Sequence, residues 1–295
     1  DEKTSEEYRK SVRENGAELI FSPVSFEIVA RTTDKYGKTK DFTISKFSNY
    51  VERIMEIPAG IDKNRITTGI VFNSDGTYSH VPTSVFEKDG RWYARVNSLT
   101  NSDYSVIYNA VTVESAEKHW AKDTINDMAS RMVLIRPESF EPDKFINRAD
   151  FAEYIVRALG IYREDSIYEN KFNDLNGDKS QTQAILTASE YGIVAGYPDG
   201  TFRPEALITR QEAMAMYQRV MKVTNLTGSD QDRYKNYKDF KDVNDWAKSD
   251  VKEVLSAHVF NGTSETAISP KSNLTCAEAL QAIKNLLVES QLINK

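Results

Sequence analysis

Two neighbouring segments of the sequence decide the fold. The first is Gly196-Tyr197-Pro198-Asp199-Gly200-Thr201-Phe202-Arg203-Pro204. The second, which follows it closely, is Ile208-Thr209-Arg210-Gln211-Glu212. The glycines on either side of Tyr-Pro-Asp predict a tight turn. The second segment predicts a helix start, because Thr209 can cap the first turn and Glu212 can bond back to the Thr209 backbone. The sequence therefore predicts a loop that leads into a capped helix.

This arrangement occurs three times along the chain. The loop ends align at offsets of 62 and 66 residues, as Phe140-Glu141-Pro142, Phe202-Arg203-Pro204 and Ile268-Ser269-Pro270. Six residues after each proline stand Arg148, Arg210 and Cys276. A match at this many positions predicts an internal repeat.

Positions upstream of each loop also align. The aligned sets are Trp120-Ala121 with Trp246-Ala247, Ile125 with Ile185 and Val251, and Phe172-Asn173-Asp174-Leu175 with Phe240-Lys241-Asp242-Val243. Apolar residues recur here at helical spacing, with Trp120, Ala121, Ile125, Met128 and Met132 on one face and Phe151, Ile155, Val156 and Leu159 on another.

These motifs resemble the S-layer homology family, whose pattern is F-x-D-V, W-A, G-Y-P-D-G-T-F-R-P and I-T-R-x-E. The resemblance covers residues 113–295. It implies three repeats in a pseudo-three-fold helical prism with grooves between the prongs. It also implies binding of a secondary cell-wall polysaccharide that carries pyruvate ketals, and it implies no enzymatic activity. No motif in the sequence predicts catalytic residues, a cofactor or a metal site.

The chain before the repeats is interpreted as a β domain. Segments rich in β-branched and aromatic residues predict strands at Leu19–Arg31, Ile66–Phe72, Trp92–Val96 and Tyr104–Tyr108. Asn73-Ser74-Asp75-Gly76 and Glu87-Lys88-Asp89-Gly90 predict hairpin turns, with return strands at residues 77–81 and 91–96. This region resembles a small domain often found before such repeats in Gram-positive surface proteins, through Phe42–Glu52 and Asn97–Tyr108.

The predicted class is α+β with several domains. Residues 1–16 form a polar segment or short helix, for which a frayed terminus is the default. Residues 17–112 form a small β-sandwich-like domain, and residues 113–295 form the all-α S-layer homology domain. The predicted repeats cover residues 113–170, 171–224 and 237–295, with a polar linker at Thr224–Asn236.

Arg148 and Arg210 are the central candidates for ligand binding. Both fall in the first turn of a predicted helix, where the helix dipole disfavours a cation and capping does not require one. An arginine fork beside free helix N–H groups suits a carboxylate, such as that of a pyruvate ketal. A salt bridge to Asp199 or Glu205 is the alternative from the residues alone, and the family resemblance favours the ligand.

Further candidates come from the same motif. Gly196, Tyr197, Asp199 and Gly200 form the predicted turn, whose glycines either only permit the turn or also let the backbone approach a sugar. Glu212 is first a helix cap and then a candidate ligand residue. Trp120 is a candidate for sugar stacking, although core packing, which Trp246 would share, is the favoured interpretation.

The three repeats are unequal. Repeat 1 has Leu134–Ser139 in place of the glycine loop and is two residues shorter there, and repeat 3 has Cys276 at the arginine position. Cysteine cannot bind a carboxylate in a bidentate way. Repeat 2 has Ser180 where the tryptophan belongs. We therefore expect only one or two working grooves.

Composition excludes several other classes. The net charge is −6 with a pI near 5.4, and no dense Lys/Arg block suggests nucleic-acid binding. The single cysteine allows no internal disulfide, and no apolar run is long enough to span a membrane. The polar start at Asp1 lacks a signal peptide, as expected of a mature form or a fragment.

Three hypotheses follow. The first is non-covalent anchoring of an extracellular protein to the wall or surface layer of a Gram-positive bacterium. The second is a degenerate S-layer homology module that makes protein or lattice contacts by self-association, without sugar binding. The third, which is disfavoured, is a wall-active hydrolase whose catalytic part lies upstream.

Overall fold

The computed structural model describes residues 2–44, 46–73 and 76–295. The chain forms two compact units, the first ending at Ala110 and the second running from Val111 to Ile293. Sheets dominate the first unit and helices the second. The predicted α+β class is confirmed.

The first unit begins with helix α1 (Glu2–Glu14). Val12 is fully buried, and the ring of Tyr8 stacks on Phe72 with the centroids 3.8 Å apart. The Tyr8 hydroxyl also donates to the Asp103 carboxylate at 3.3 Å. The default of a frayed terminus was wrong, because these contacts with the strands order the helix.

The strands of the first unit pair antiparallel throughout. Their bounds are β1 Glu18–Leu19, β2 Val24–Phe26, β3 Val29–Thr33, β4 Thr39–Thr43, β5 Lys46–Glu56, β6 Thr68–Phe72, β7 Tyr78–Val81, β8 Thr83–Lys88, β9 Arg91–Thr100 and β10 Ser102–Tyr108. One sheet has the order β1-β10-β6-β7 with β2 also on β10, another the order β5-β9-β8, and β3 pairs with β4 alone. Val71, Tyr104 and Val106 from the first sheet share a core with Met55 and Val96 from the second.

Both predicted hairpins are present. Asp89 and Gly90 join β8 to β9 with φ of 52° and 74°, as a type I′ turn requires. Between β6 and β7 the Asn73 N–H donates to the Thr77 carbonyl at 2.8 Å, and Gly76 has φ of 84°. The remaining turn residues of that prediction, Ser74 and Asp75, lie outside the described residues.

Other strand predictions were only partly right. The segment Leu19–Arg31 is divided among β1, β2 and β3 rather than forming one strand. The strands β4 and β5 were not predicted. β4 is exposed along its whole length, so its sequence carries no alternation of buried and exposed residues.

The second unit contains six α-helices joined by loops and short 3₁₀ turns. Their bounds are α2 Lys122–Ser130, α3 Arg148–Ala158, α4 Lys179–Glu190, α5 Arg210–Thr224, α6 Lys248–Ser256 and α7 Cys276–Glu289. Ile125, Ile185 and Val251, aligned from the sequence, are buried in α2, α4 and α6. Trp120 and Met132 lie outside α2, so their assignment to its apolar face was wrong. Within the described part of the chain, every helix is too short or too polar to cross a membrane.

The loops before α3, α5 and α7 close a ring of three backbone hydrogen bonds. Ile146 N–H donates to the Leu274 carbonyl at 2.9 Å, and Leu274 N–H donates to the Ile208 carbonyl at 2.9 Å. Ile208 N–H completes the ring by donating to the Ile146 carbonyl at 3.3 Å. Each repeat is therefore bonded to both others through its aligned apolar residue.

The polar stretch predicted as a linker is packed. Gly228 N–H donates to the Glu253 carboxylate at 2.9 Å, and the Arg233 guanidinium donates to the Leu255 carbonyl at 2.8 Å. A Cβ on Gly228 would lie 1.6 Å from the Ser256 hydroxyl, so only glycine fits there. The stretch covers α6 instead of merely joining two repeats.

Candidate ligand-binding grooves

The predicted capping boxes form at α5 and α7. Glu212 N–H donates to the Thr209 hydroxyl, and Thr209 N–H donates back to the Glu212 carboxylate at 2.8 Å. Thr275 and Glu278 repeat both bonds. At α3, the Asn147 side chain accepts the hydrogen bond that Asp150 N–H donates, at 2.7 Å. These caps fix the three helix starts that carry the candidate residues.

The first N–H groups of these helices are already bonded. At α3, Arg148 N–H donates to the Ala206 carbonyl at 2.9 Å and Ala149 N–H to the Pro204 carbonyl at 3.0 Å. The equivalent bonds run from Arg210 to Ser272, Gln211 to Pro270, Cys276 to Lys144 and Ala277 to Pro142. The premise that free helix N–H groups assist an anion was wrong, because the loop of the next repeat occupies them.

Two grooves lie against these helix starts at equivalent positions of consecutive repeats. The Arg148 groove has a volume of about 240 Å³ and is lined by residues that include Arg148, Tyr197, Glu212, Met216, Arg219 and Trp246. The Arg210 groove has a volume of about 380 Å³ and is lined by residues that include Arg210, Asn261, Glu278, Gln281, Asn285 and Trp120. The predicted site residues are thus divided between two grooves.

In the Arg148 groove, the guanidinium is buried but only partly bonded. Arg148 is 7% exposed, and its Nε donates to the Phe202 carbonyl at 3.0 Å. Its guanidinium carbon lies 4.8 Å from the Phe202 ring centroid and 5.0 Å from that of Tyr197. Its two terminal nitrogens donate no hydrogen bond to any residue that the structure describes. Burial lowers the pKa of Arg148, and Tyr197 and Glu212 oppose this effect.

In the Arg210 groove, every nitrogen of the guanidinium is bonded. Nε donates to the Ile268 carbonyl at 2.7 Å, Nη1 to the Glu278 carboxylate at 2.6 Å and Nη2 to the Asn261 carbonyl at 2.8 Å. Arg210 is 2% exposed and lies over the Phe260 ring at 4.7 Å. Burial lowers its pKa, and Glu278 opposes this.

The alternative prediction, in which Arg148 or Arg210 forms a salt bridge with Asp199 or Glu205, was wrong. Asp199 bonds within its own turn, where its carboxylate accepts from the Thr201 hydroxyl at 2.6 Å and from Arg203 at 3.0 Å. The hydrogen bonds from Thr201, then that from Arg203, lower the pKa of Asp199 to about 2. Glu205 lies beside Asn147 instead.

The glycine turn has a clear structural role. A Cβ on Gly196 would lie 2.7 Å from the Phe172 ring, so glycine is required for this close packing. Gly200 has φ of 79°. Gly196 and Tyr197 line the Arg148 groove, whereas Asp199 and Gly200 line neither groove. Ligand contact by the latter two remains a prediction without geometric support.

The two tryptophans are exposed. Trp120 is 65% exposed in the Arg210 groove, and Trp246 is 57% exposed in the Arg148 groove. The favoured interpretation as core residues was therefore wrong. Sequence reasoning also omitted Trp246 and Arg219 from the candidate site. The first aligns with Trp120, and the second lies on the Glu212 face of α5, seven residues further on.

The sequence alignment placed one motif of repeat 3 three residues too far along the chain. Asp174 accepts hydrogen bonds from the backbone N–H groups of residues 202–203, each at 2.8 Å. The same bonds to residues 268–269 are made by Asp239, not by Asp242. The equivalent of Phe172-Asn173-Asp174 is therefore Tyr237-Lys238-Asp239.

The third equivalent position is built differently. Cys276 is 7% exposed, and burial raises the pKa of its thiol to about 12. Tyr154, aligned with Met216, is buried close by, and burial, then Cys276, raises its pKa. Asp150 accepts a hydrogen bond from Gln181 at 2.7 Å. A bulky phenol and a thiol thus replace the arginine and the open space of the other two positions.

The repeat geometry agrees with a comparison to known families. The pattern of the S-layer homology domain matches residues 171–214, which contain the glycine turn and the start of α5. This chain carries an S-layer homology domain. The S-layer homology resemblance predicted from the sequence is confirmed, and such a domain is a binding module.

Similar proteins combine this kind of segment with much longer chains. An amylopullulanase of Thermoanaerobacterium thermosulfurigenes is 28% identical over 95% of this chain and 15% of its own length. The exoglucanase XynX of Acetivibrio thermocellus is 31% identical over 65% of this chain and 18% of its own. A cellulosome-anchoring protein of Acetivibrio thermocellus is 28% identical over 63% of this chain and 45% of its own. The chain thus spans less than half the length of each.

Proposed function

We propose that this chain anchors a surface protein non-covalently to the cell wall of a Gram-positive bacterium by binding a pyruvylated secondary cell-wall polysaccharide. The S-layer homology domain supports this role, as does the anchoring role in the name of one relative. The Arg148 groove is the principal site in this proposal. No catalytic role is assigned to any residue of the chain.

The observation that carries the proposal is the incomplete bonding of Arg148. A buried guanidinium normally has its donors satisfied, because burial of a charge without partners is unfavourable. The terminal nitrogens of Arg148 donate to no described residue and are not fully buried, and Arg148 lines the groove, where a ligand can reach it. A ligand carboxylate can accept from both nitrogens in the planar geometry that arginine favours.

The surroundings of Arg148 suit an acidic sugar. The groove contains two arginines, Arg148 and Arg219, against one glutamate, Glu212. One oxygen of the Glu212 carboxylate already accepts two hydrogen bonds, one from the Thr209 backbone N–H and one from the Thr209 hydroxyl. The exposed indole of Trp246 offers an apolar face to the ring that carries the ketal.

We also propose the finer architecture. The ring of hydrogen bonds among Ile146, Ile208 and Leu274 supports a pseudo-three-fold prism for residues 113–295. The core shared by two antiparallel sheets supports a sandwich-like domain for residues 17–112. The three predicted repeats, residues 113–170, 171–224 and 237–295, belong to the same proposal.

Calorimetric titration with purified pyruvylated wall polysaccharide tests the function. We expect binding by the parent and a loss of about 100-fold in affinity for Arg148→Gln, because a charge-assisted bidentate contact is removed. Trp246→Ala, which changes an exposed side chain, should weaken binding about tenfold. Arg91→Gln, at an exposed arginine of the first unit, is the control with the same change of charge and should bind as the parent does.

A folded parent that does not bind this polymer would contradict the proposal. Sedimentation of the same sample then decides whether concentration-dependent self-association, the alternative predicted for a degenerate module, takes its place. Equal affinities for Arg148→Gln and the parent would exclude the Arg148 groove as the principal site.

A further inference from the structure

The Arg210 groove has its cation already neutralised. Glu278 uses both carboxylate oxygens, one for Arg210 at 2.6 Å and the other for Thr275 N–H at 3.0 Å. A ligand carboxylate would have to displace Glu278 from the arginine and place a further negative charge near Asp143, which also lines the groove. One arginine against two carboxylates therefore disfavours an acidic ligand here.

What the groove offers instead is neutral. The Thr124 hydroxyl donates to the side-chain amide oxygen of Gln281 at 2.6 Å, and Gln281 Nε2 donates to the side-chain amide oxygen of Asn285 at 2.9 Å. Asn285 Nδ2 donates to the Val259 carbonyl at 3.1 Å. Each amide nitrogen carries two N–H groups and spends one in these bonds, so each retains one for a ligand hydroxyl.

An aromatic platform completes the groove. Trp120 is 65% exposed, and its aromatic neighbour is His119, at a ring separation of 5.3 Å. An exposed indole beside fixed amide donors suits a sugar ring, which presents C–H groups on one face and hydroxyls at its edge. The larger volume, about 380 Å³ against about 240 Å³, leaves room for a whole ring.

We infer that the Arg210 groove binds an uncharged hexose unit of the polymer, while the ketal carboxylate goes to the Arg148 groove. This inference rests on the proposed function for the identity of the polymer. It assigns the two grooves to different units of one chain of sugars, so that binding combines an acidic and a neutral contact.

The test uses the full chain and the wall polysaccharide after mild acid treatment has removed its ketals. We expect calorimetry to show weaker but measurable binding of this neutral polymer. Trp120→Ala should reduce that binding at least about tenfold. Tyr36→Ala, which removes an exposed aromatic ring in the first unit, is the matched control and should leave it unchanged. Near-ultraviolet circular dichroism checks that each variant is folded.

Two results would overturn the inference. One is a folded parent that binds the pyruvylated polymer but not the ketal-free polymer. The other is equal binding of the ketal-free polymer by Trp120→Ala and the parent. Neither result touches the proposed function, which fails on a separate measurement, the binding of pyruvylated polymer by the parent and by Arg148→Gln.

Discussion

The Arg148 and Arg210 grooves are built from equivalent positions, yet their charges differ. Both have an arginine at the first position of a helix, α3 or α5, and a glutamate in the first turn of the equivalent helix of the next repeat, α5 or α7. In one groove the glutamate pairs with the arginine, and in the other the described residues provide no such ion pair. A repeated sequence motif therefore fixes the helix start without fixing what the groove can bind.

The difference comes from positions outside the motif. Seven residues after the glutamate, the Arg148 groove has Arg219 and the Arg210 groove has Asn285. With an amide in place of a cation, Arg210 is the only arginine among the described residues that line its groove. Glu278 can then pair with Arg210 without competition from a second cation.

The largest predicted effect is on stability and concerns Arg210→Met. This change leaves Glu278 without its partner at a mostly buried position, and we expect a loss of about 3 kcal/mol in the free energy of unfolding. Urea unfolding followed by tryptophan fluorescence measures it. Arg148→Met removes one hydrogen bond to a carbonyl and should cost about 1 kcal/mol.

Equal losses for Arg210→Met and Arg148→Met would show that the two arginines have the same structural role. The charge of Glu278 would then not distinguish the two grooves. The parent, measured in the same buffer and salt, is the reference, since both variants lose one positive charge.

Much of the second unit could be predicted because its signals are local. A capping box needs only Thr209 and Glu212 at the correct spacing, and the apolar positions Ile125, Ile185 and Val251 follow helical periodicity. The hairpin at Asp89-Gly90 could also be predicted from local sequence. A type I′ turn needs positive φ at both residues, which is why Asp-Gly favours it.

The groove chemistry could not be predicted because it depends on contacts between repeats. Nothing in the sequence around Arg210 indicates Glu278, which lies 68 residues further along the chain. The exposure of Trp120 was missed for a related reason. An aromatic residue before a helix has the composition of a core residue, and only the assembled repeats show which face is left open.

The second prediction concerns the position that lacks an arginine. Cys276→Arg inserts a long cation beside buried Tyr154 and should reduce the free energy of unfolding by about 2 kcal/mol, because the site is already filled. Calorimetry should find no additional binding site in this variant. A stable Cys276→Arg protein that binds pyruvylated polysaccharide with increased stoichiometry would show that the missing arginine alone prevents binding at this position.

The third prediction concerns a substitution that makes the Arg210 groove more like the Arg148 groove. Glu278→Gln removes the charge that neutralises Arg210 while keeping an amide oxygen for the Thr275 cap. In an Arg148→Gln background, we expect Glu278→Gln to raise affinity for the pyruvylated polysaccharide about tenfold, or 1.4 kcal/mol. Titration of the double variant against Arg148→Gln alone measures the gain. An unchanged affinity would mean that Glu278 is not what keeps a carboxylate out of this groove.

The smallest predicted effect is a pH dependence at the Cys276 position. Burial raises the pKa of Asp150 above its ordinary value of 3.8, although the hydrogen bond from Gln181 and the charge of Arg136 oppose this. The folded state therefore holds the proton more tightly than the unfolded state. The resulting stability is fully present below the ordinary pKa and is lost as the pH rises through the raised value. At neutral pH the charged carboxylate thus disfavours folding.

Asp150→Asn removes this titration and keeps an oxygen that can accept from Gln181. We expect it to increase the free energy of unfolding at pH 7 by less than about 1 kcal/mol, and the gain to shrink below the ordinary pKa of Asp150. Urea unfolding of Asp150→Asn and the parent, at pH 7 and at a pH below the ordinary pKa of Asp150, measures the difference in their free energies of unfolding. A loss of stability at pH 7 would mean that the ion pair with Arg136, at 3.6 Å, outweighs burial. The Cys276 position would then resemble the Arg210 groove, where a carboxylate is held by its arginine, more than the Arg148 groove.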